Sequence, residues 1–203
     1  MHRDHLFQGK GMQLAKTAKR FSLGKISKKE GIVPENWVCK IGALDLYCYA
    51  YELYDVGKTD TGWWLELVQH GEGRKVQRAM FLTLRNHREN MYAVEMVRVD
   101  SKYQGFGLAN RVYKKLMDKF GISLITDEYQ SPGGQHIWYK MFETKGVQIH
   151  AIKGTGKRTP RILHEVRQDD VSPRLQVEGA DAWSEAETNQ WAFVACSTKG
   201  IKQ

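Results

Sequence analysis

The strongest constraint in this chain is a change of period. Between residues 37 and 99 the apolar side chains come in short runs rich in Val, Ile, Leu, Tyr and Trp, separated by polar turns. From Leu108 they fall instead on every fourth residue: Leu108, Val112, Leu116 and Phe120. The first pattern is that of strands, and the second is one face of a helix. The switch occurs across Gly105-Phe106-Gly107, and Gly121 stands where the helical stripe stops, a residue suited to a helix C-terminus. A chain with this pattern must pack a helix against a sheet.

The runs at 37–41, 44–54, 63–69, 76–84 and 91–99, with turns at 57–62, 71–75 and 86–90, predict an antiparallel meander. After the helix at 107–120 come a short buried strand at 123–126, a helix start at 132–134 and a second helix at 135–144. A strand at 147–152 follows. Residues 190–197 (QWAFVACS) again have a buried-strand composition and are expected to pair beside 147–152. The stretch 154–189 is then an elaborated connection, or a small C-terminal subdomain. The fold class is α/β, with residues 1–36 as a basic N-terminal extension and 37–203 as the main domain.

Composition narrows the function classes. Hydrophobic residues make up 41% of the 203 and charged residues 27%, enough for a buried core. No window approaches eighteen consecutive apolar residues, so no transmembrane helix is predicted, nor a secretory signal in the first ten residues. Cys39, Cys48 and Cys196 are odd in number and lack CxxC spacing, which fits thiols in a reducing, cytoplasmic compartment. The seven histidines show no HExxH or paired metal spacing, so no metal is expected, and no G-x-S-x-G nucleophile elbow occurs. Of the formal net charge of +8, residues 1–30 hold eight Lys or Arg against Asp4 and Glu30, a net +6, leaving about +2 for the rest. Within that arm Leu14, Ala18 and Phe21 recur at helical spacing, predicting a short amphipathic helix over 12–21.

Chemistry is carried by residues 97–110 (VRVDSKYQGFGLAN). A strand ends at Val99, a short turn follows, and a Gly-rich segment opens the helix. Gly105 and Gly107 let the backbone approach a ligand closely, and the first amides of the helix face outward with the positive end of its dipole. Such an arrangement suits a phosphate or pyrophosphate. It is neither a P-loop, since GxxxxGK[ST] is absent, nor a GxGxxG fingerprint, since Asn110 replaces the third Gly.

Gln104-Gly105-Phe106-Gly107-Leu108-Ala109 resembles the Q/R-x-x-G-x-G/A pattern of the GNAT acetyltransferase superfamily, and the likeness extends through residues 92–152. The resemblance implies a mixed, mostly antiparallel, splayed sheet flanked by helices, which binds acetyl-CoA as co-substrate. It implies that the backbone at Gly105, Phe106, Gly107, Leu108 and Ala109, together with Gln104, holds the CoA pyrophosphate. Val97 and Val99 would pair with the pantetheine arm as if it were a further strand. It implies transfer of an acetyl group to an amine of unknown acceptor by direct attack, which needs a base, a carbonyl donor and an acid.

Glu95 is the first candidate base, because alternation on one strand puts it on a face with Val97 and Val99. Asp127, at the end of the next strand, is its rival. For the acid, the family's Tyr register falls on either Trp138 or Tyr139. If Trp138 occupies it, Ser131 or a water must substitute for Tyr139. Ser131-Pro-Gly-Gly134 also departs from the family's frequent Asn-x-x-Ala helix start. Two alternatives remain: a nucleic-acid-modifying enzyme of this fold that binds DNA or RNA through residues 1–30 and the basic cluster Lys157, Arg158 and Arg161, or a catalytically inactive binding module.

Overall fold

In the computed structural model the described residues are 13–14, 37–43, 50–55, 62–70, 76–126, 129–153, 164–168, 175–177, 180–181 and 191–200. In chain order the elements are β1 Gln13–Leu14, β2 Trp37–Ala43, β3 Ala50–Asp55, β4 Gly62–His70, β5 Val76–Arg88 and β6 Met91–Val99. Then follow α1 Leu108–Phe120, β7 Ser123–Thr126, β8 Tyr129–Gln130, α2 Pro132–Phe142 and β9 Val147–Lys153. The last are β10 His164–Gln168, β11 Leu175–Val177, β12 Ala180–Asp181 and β13 Trp191–Ser197. The protein is α/β, and its packing separates two compact units: residues 19–116, and residues 1–18 with 117–203.

The unit 19–116 is built on the predicted meander. Strands β2 to β6 pair in order, each antiparallel to the next. Residues opposite one another across a ladder share a face, so the register assigns the faces. Leu65, Leu67, Met80, Leu82, Leu84 and Val94 fall on one face and are buried, each Leu side chain there contributing about 1.5–3 kcal/mol through burial. The other face carries Trp64, Glu66, Thr83, Arg85 and Met96. The polar stretch 86–90, expected as a turn, is mostly strand: β5 runs on to Arg88, with Asn86 opposite Tyr92 and Arg88 opposite Met91. Its polarity marks an incompletely buried strand end. Only residues 89–90 turn, and Asn90 takes the left-handed conformation (φ 56°) that an Asn side chain tolerates.

Helix α1 begins in this unit and ends in the other. Leu108, Val112, Leu116, Ala109, Tyr113 and Met117 are its buried positions, which is the four-residue stripe plus its neighbours. Gly121, at φ 65°, ends it, its amide donating to the Met117 carbonyl.

In the unit containing 117–203, β13 lies between β9 and β7 and is antiparallel to both. The C-terminal strand therefore pairs beside 147–153 as its composition suggests. From 154–189, β10 pairs antiparallel with the other edge of β9 and is followed by β11 and β12, so this stretch extends the ladder. Trp138 of α2 is buried with its ring 6.4 Å from that of Phe193, and the Phe193 amide donates to buried Thr126 Oγ1 at 3.0 Å. Residues 13–14 are extended and pair in parallel with Tyr129–Gln130, so these two are strand and not part of the helix expected over 12–21; positions 12 and 15–21 of that expectation lie outside the described residues. The remainder of 1–36 lies outside the described residues. Among the described residues no helix is long and apolar enough to cross a membrane.

Candidate functional site

The Gly-rich segment is held on both sides by hydrogen bonds before it reaches the helix. Asp100, buried, follows β6; its amide donates to the Ala79 carbonyl at 3.0 Å, and its carboxylate accepts the Lys102 amide at 3.0 Å. This caps a 3-10 turn over Ser101–Tyr103, closed by the Tyr103 amide on the Asp100 carbonyl at 2.8 Å. Gln104 then folds back, its Nε2 donating to the Val99 carbonyl at 3.1 Å. Gly105 (φ 86°) and Gly107 (φ 69°) both take the left-handed conformation, and the first α-helical bond runs from the Arg111 amide to the Gly107 carbonyl at 3.1 Å. A Cβ at either Gly would meet nothing within 4 Å, so backbone conformation, not crowding, selects glycine there.

Leu108 and Ala109 bury their side chains while their amides stand at the start of α1, ahead of the first intrahelical ring. Phe106 is 46% exposed. The segment thus presents successive amides, a helix N-terminus and open space beside two glycines, which together can accept a diphosphate. These residues fit the group the sequence pattern implies. Gln104 contributes by tying the loop to the end of β6. Because Val99's carbonyl already accepts Gln104, a pantetheine arm pairing there would use the second lone pair of that oxygen.

Glu95 occupies a β-bulge. Thr83 pairs with Met96 and Leu84 with Val94, so Glu95 is the extra residue of β6. Val97 and Val99 pair with Leu82 and Met80 on the core face, whereas the Glu95 carboxylate meets Arg85, on the opposite face, at 2.5 Å. The expectation that Glu95 shares a face with Val97 and Val99 is therefore corrected, because one inserted residue shifts the two-residue side-chain period. The two side chains are 40% and 31% exposed, and the Arg85 Nε makes no aligned hydrogen bond, so the pair is a charge contact. Its value for stability is about 0–1 kcal/mol; its effect is to fix where the carboxylate lies.

Ser131 and Tyr139 belong to the unit containing 117–203. Ser131 is the N-cap of α2, its Oγ accepting the Gly134 amide at 3.1 Å, which leaves its own proton available to donate. Trp138 takes the inward register position of α2. Tyr139 lies beside it, its hydroxyl directed to Glu143 one turn on. Hydrogen bonds from Lys140 and then from Tyr139 hold the Glu143 carboxyl below the usual range. Asp127 lies outside the described residues. Glu95, Val97, Val99 and the 104–109 segment are thus brought together on one unit, and Ser131 and Tyr139 sit on the other.

Sequence reasoning missed Arg85, and also Tyr103, Gln69, Gln77 and Tyr51, the last four forming a largely buried polar cluster around Tyr103, two residues before Gly105. Arg85 is legible only once the bulge sets the register, and the cluster's hydrogen bonds join residues up to 34 positions apart in sequence. Comparison with protein-family models, curated proteins and solved structures finds no match for this chain.

Proposed function

We propose that this protein is an acyl-CoA-dependent N-acyltransferase that moves an acetyl group from acetyl-CoA to an amine. The observation that carries the reading is the Gln104–Ala109 segment: two left-handed glycines and a helix N-terminus directly after a strand, in a sequence of the acetyltransferase pattern. The family's remaining fold features belong to the same proposal. In the reaction the amine nitrogen bonds to the thioester carbonyl carbon, the carbon–sulfur bond breaks, the nitrogen gives up a proton and the thiolate takes one. Backbone amides at 105–109 bind and orient the diphosphate. Glu95, fixed by Arg85 on the same unit as that segment, receives the amine proton, and a general acid protonates sulfur, the role that the resemblance gives Tyr139 or Ser131.

Titration calorimetry with acetyl-CoA on the wild type and on Gly107→Glu tests the proposal. The variant places a carboxylate where the diphosphate is expected and adds left-handed strain, so affinity should fall by at least about tenfold, one repulsive contact's worth. Unchanged affinity would refute the site. The Tyr139–Glu143 contact and the inward Trp138 favour a second reading, a module that binds acetyl-CoA without transfer. Release of free thiol in the presence of a panel of amines separates the two.

A further inference from the structure

We infer that Tyr103 is a positioning residue that holds the 104–109 segment in its anion-binding shape; this rests on the acetyl-CoA reading above. Tyr103 is 8% exposed, and its hydroxyl donates to Gln69 Oε1 at 2.5 Å and lies 2.9 Å from Gln77 Oε1. Gln69 in turn donates through Nε2 to the Tyr51 hydroxyl at 3.2 Å, and the Tyr51 and Tyr103 rings meet edge-on at 6.3 Å. The single phenol proton is shared by carboxamides from β4 and β5, and the chain continues to β3 through Tyr51. One side chain in the 3-10 turn is therefore fastened to three consecutive strands.

The position along the chain gives this cluster its consequence. Tyr103 is two residues before Gly105, and the intervening Gln104 is itself tied to Val99. Left-handed glycines have the widest conformational choice of any residue, so Gly105 and Gly107 cannot hold their own geometry. It must be imposed from the anchored side and from α1. A buried polar cluster is no more stabilising than apolar packing of the same shape, but its directional bonds select one arrangement. An anion site made of backbone amides depends on that selection, since amides that must reorganise on binding lose affinity.

The test uses the full chain and Tyr103→Phe, which keeps the ring and removes the hydroxyl. Calorimetry compares CoA with pantetheine, which lacks the diphosphate. The inference expects CoA affinity to fall about tenfold, the worth of one lost orienting hydrogen bond, with pantetheine affinity and the saturated transfer rate unchanged. Amide hydrogen exchange supplies a ligand-independent measure: residues 105–109 should exchange faster in the variant while β4 to β6 do not change. Equal losses for both ligands, or unaltered exchange at 105–109, would overturn the inference. If Tyr103→Phe does not fold, Gln77→Leu removes one of the two acceptors and is subject to the same outcomes. A wild type that does not bind CoA at all would refute the acetyl-CoA reading, and the exchange experiment would still decide whether Tyr103 anchors the segment.

Discussion

At the scale of single residues, the end of β5 concentrates positive charge around one imidazole. Burial, and then the charges of Arg88 and Arg85, lower the pKa of His87 below its ordinary value of 6.5. Above that value the residue is neutral whether the chain is folded or not, and it adds no pH dependence. As the pH falls through 6.5 the unfolded chain takes up a proton that the folded protein resists, so stability drops until the pH passes the lower folded value. His87→Gln should therefore leave the melting temperature near neutral pH little changed and flatten its fall on acidification. Parallel melting curves for the two proteins across that range would contradict the assignment. Neither the shift nor its direction is legible in the sequence, where His87 and Arg88 read as part of a polar turn over 86–90 and Arg85 only precedes it. Strand continuation through Arg88 and the register with β6 bring these charges together.

At the scale of elements, the strand ladders tolerate little change where backbones approach most closely. Gly62 opens β4 opposite Arg85, and a Cβ there would overlap the Leu84 carbonyl oxygen, with Leu84 C at 2.9 Å and Arg85 Cα at 3.0 Å. These are backbone atoms, so a side chain can be admitted only by parting β4 from β5. Gly62→Ala should cost about 1–3 kcal/mol, as overpacking does, and lower the denaturation midpoint without altering the slope of the transition. A neutral substitution would show that this end of the ladder yields freely. The elements themselves were largely readable: the α1 stripe, Gly121 as its stop, and β7, β9 and β13 follow from period and composition. Bulges were not. Glu95, Ala79 and His87 are each skipped in the pairing, and nothing in the order of residues marks where an extra one is absorbed.

At the scale of the whole molecule, the proposal ties stability to ligand. A ligand that binds only the folded state at a hundred times its Kd stabilises by about 2.7 kcal/mol, so acetyl-CoA should raise the unfolding midpoint in proportion to the logarithm of its concentration. The Gly107→Glu protein should show the same rise only at ligand concentrations at least about tenfold higher. A wild-type midpoint indifferent to acetyl-CoA would oppose the reading as directly as flat calorimetry. The sequence by itself determined the meander strands, β7, β9, β13 and the stripe of α1, because local period and turn residues are properties of neighbours along the chain; it did not mark the strand end at 86–88 or the strands β10 to β12. It also located the Gly-rich segment, because positive-φ conformations call for glycine whatever the surroundings. Only the tertiary structure decided that Glu95 leaves the face of Val97 and Val99 for Arg85, that Tyr139 turns to Glu143 while Trp138 packs inward, and that Tyr103 is fastened through Gln69 and Gln77. Each of these depends on strand register, helix rotation or side chains distant in sequence, and such arrangements are fixed by burial and pairing between elements, which no local pattern encodes.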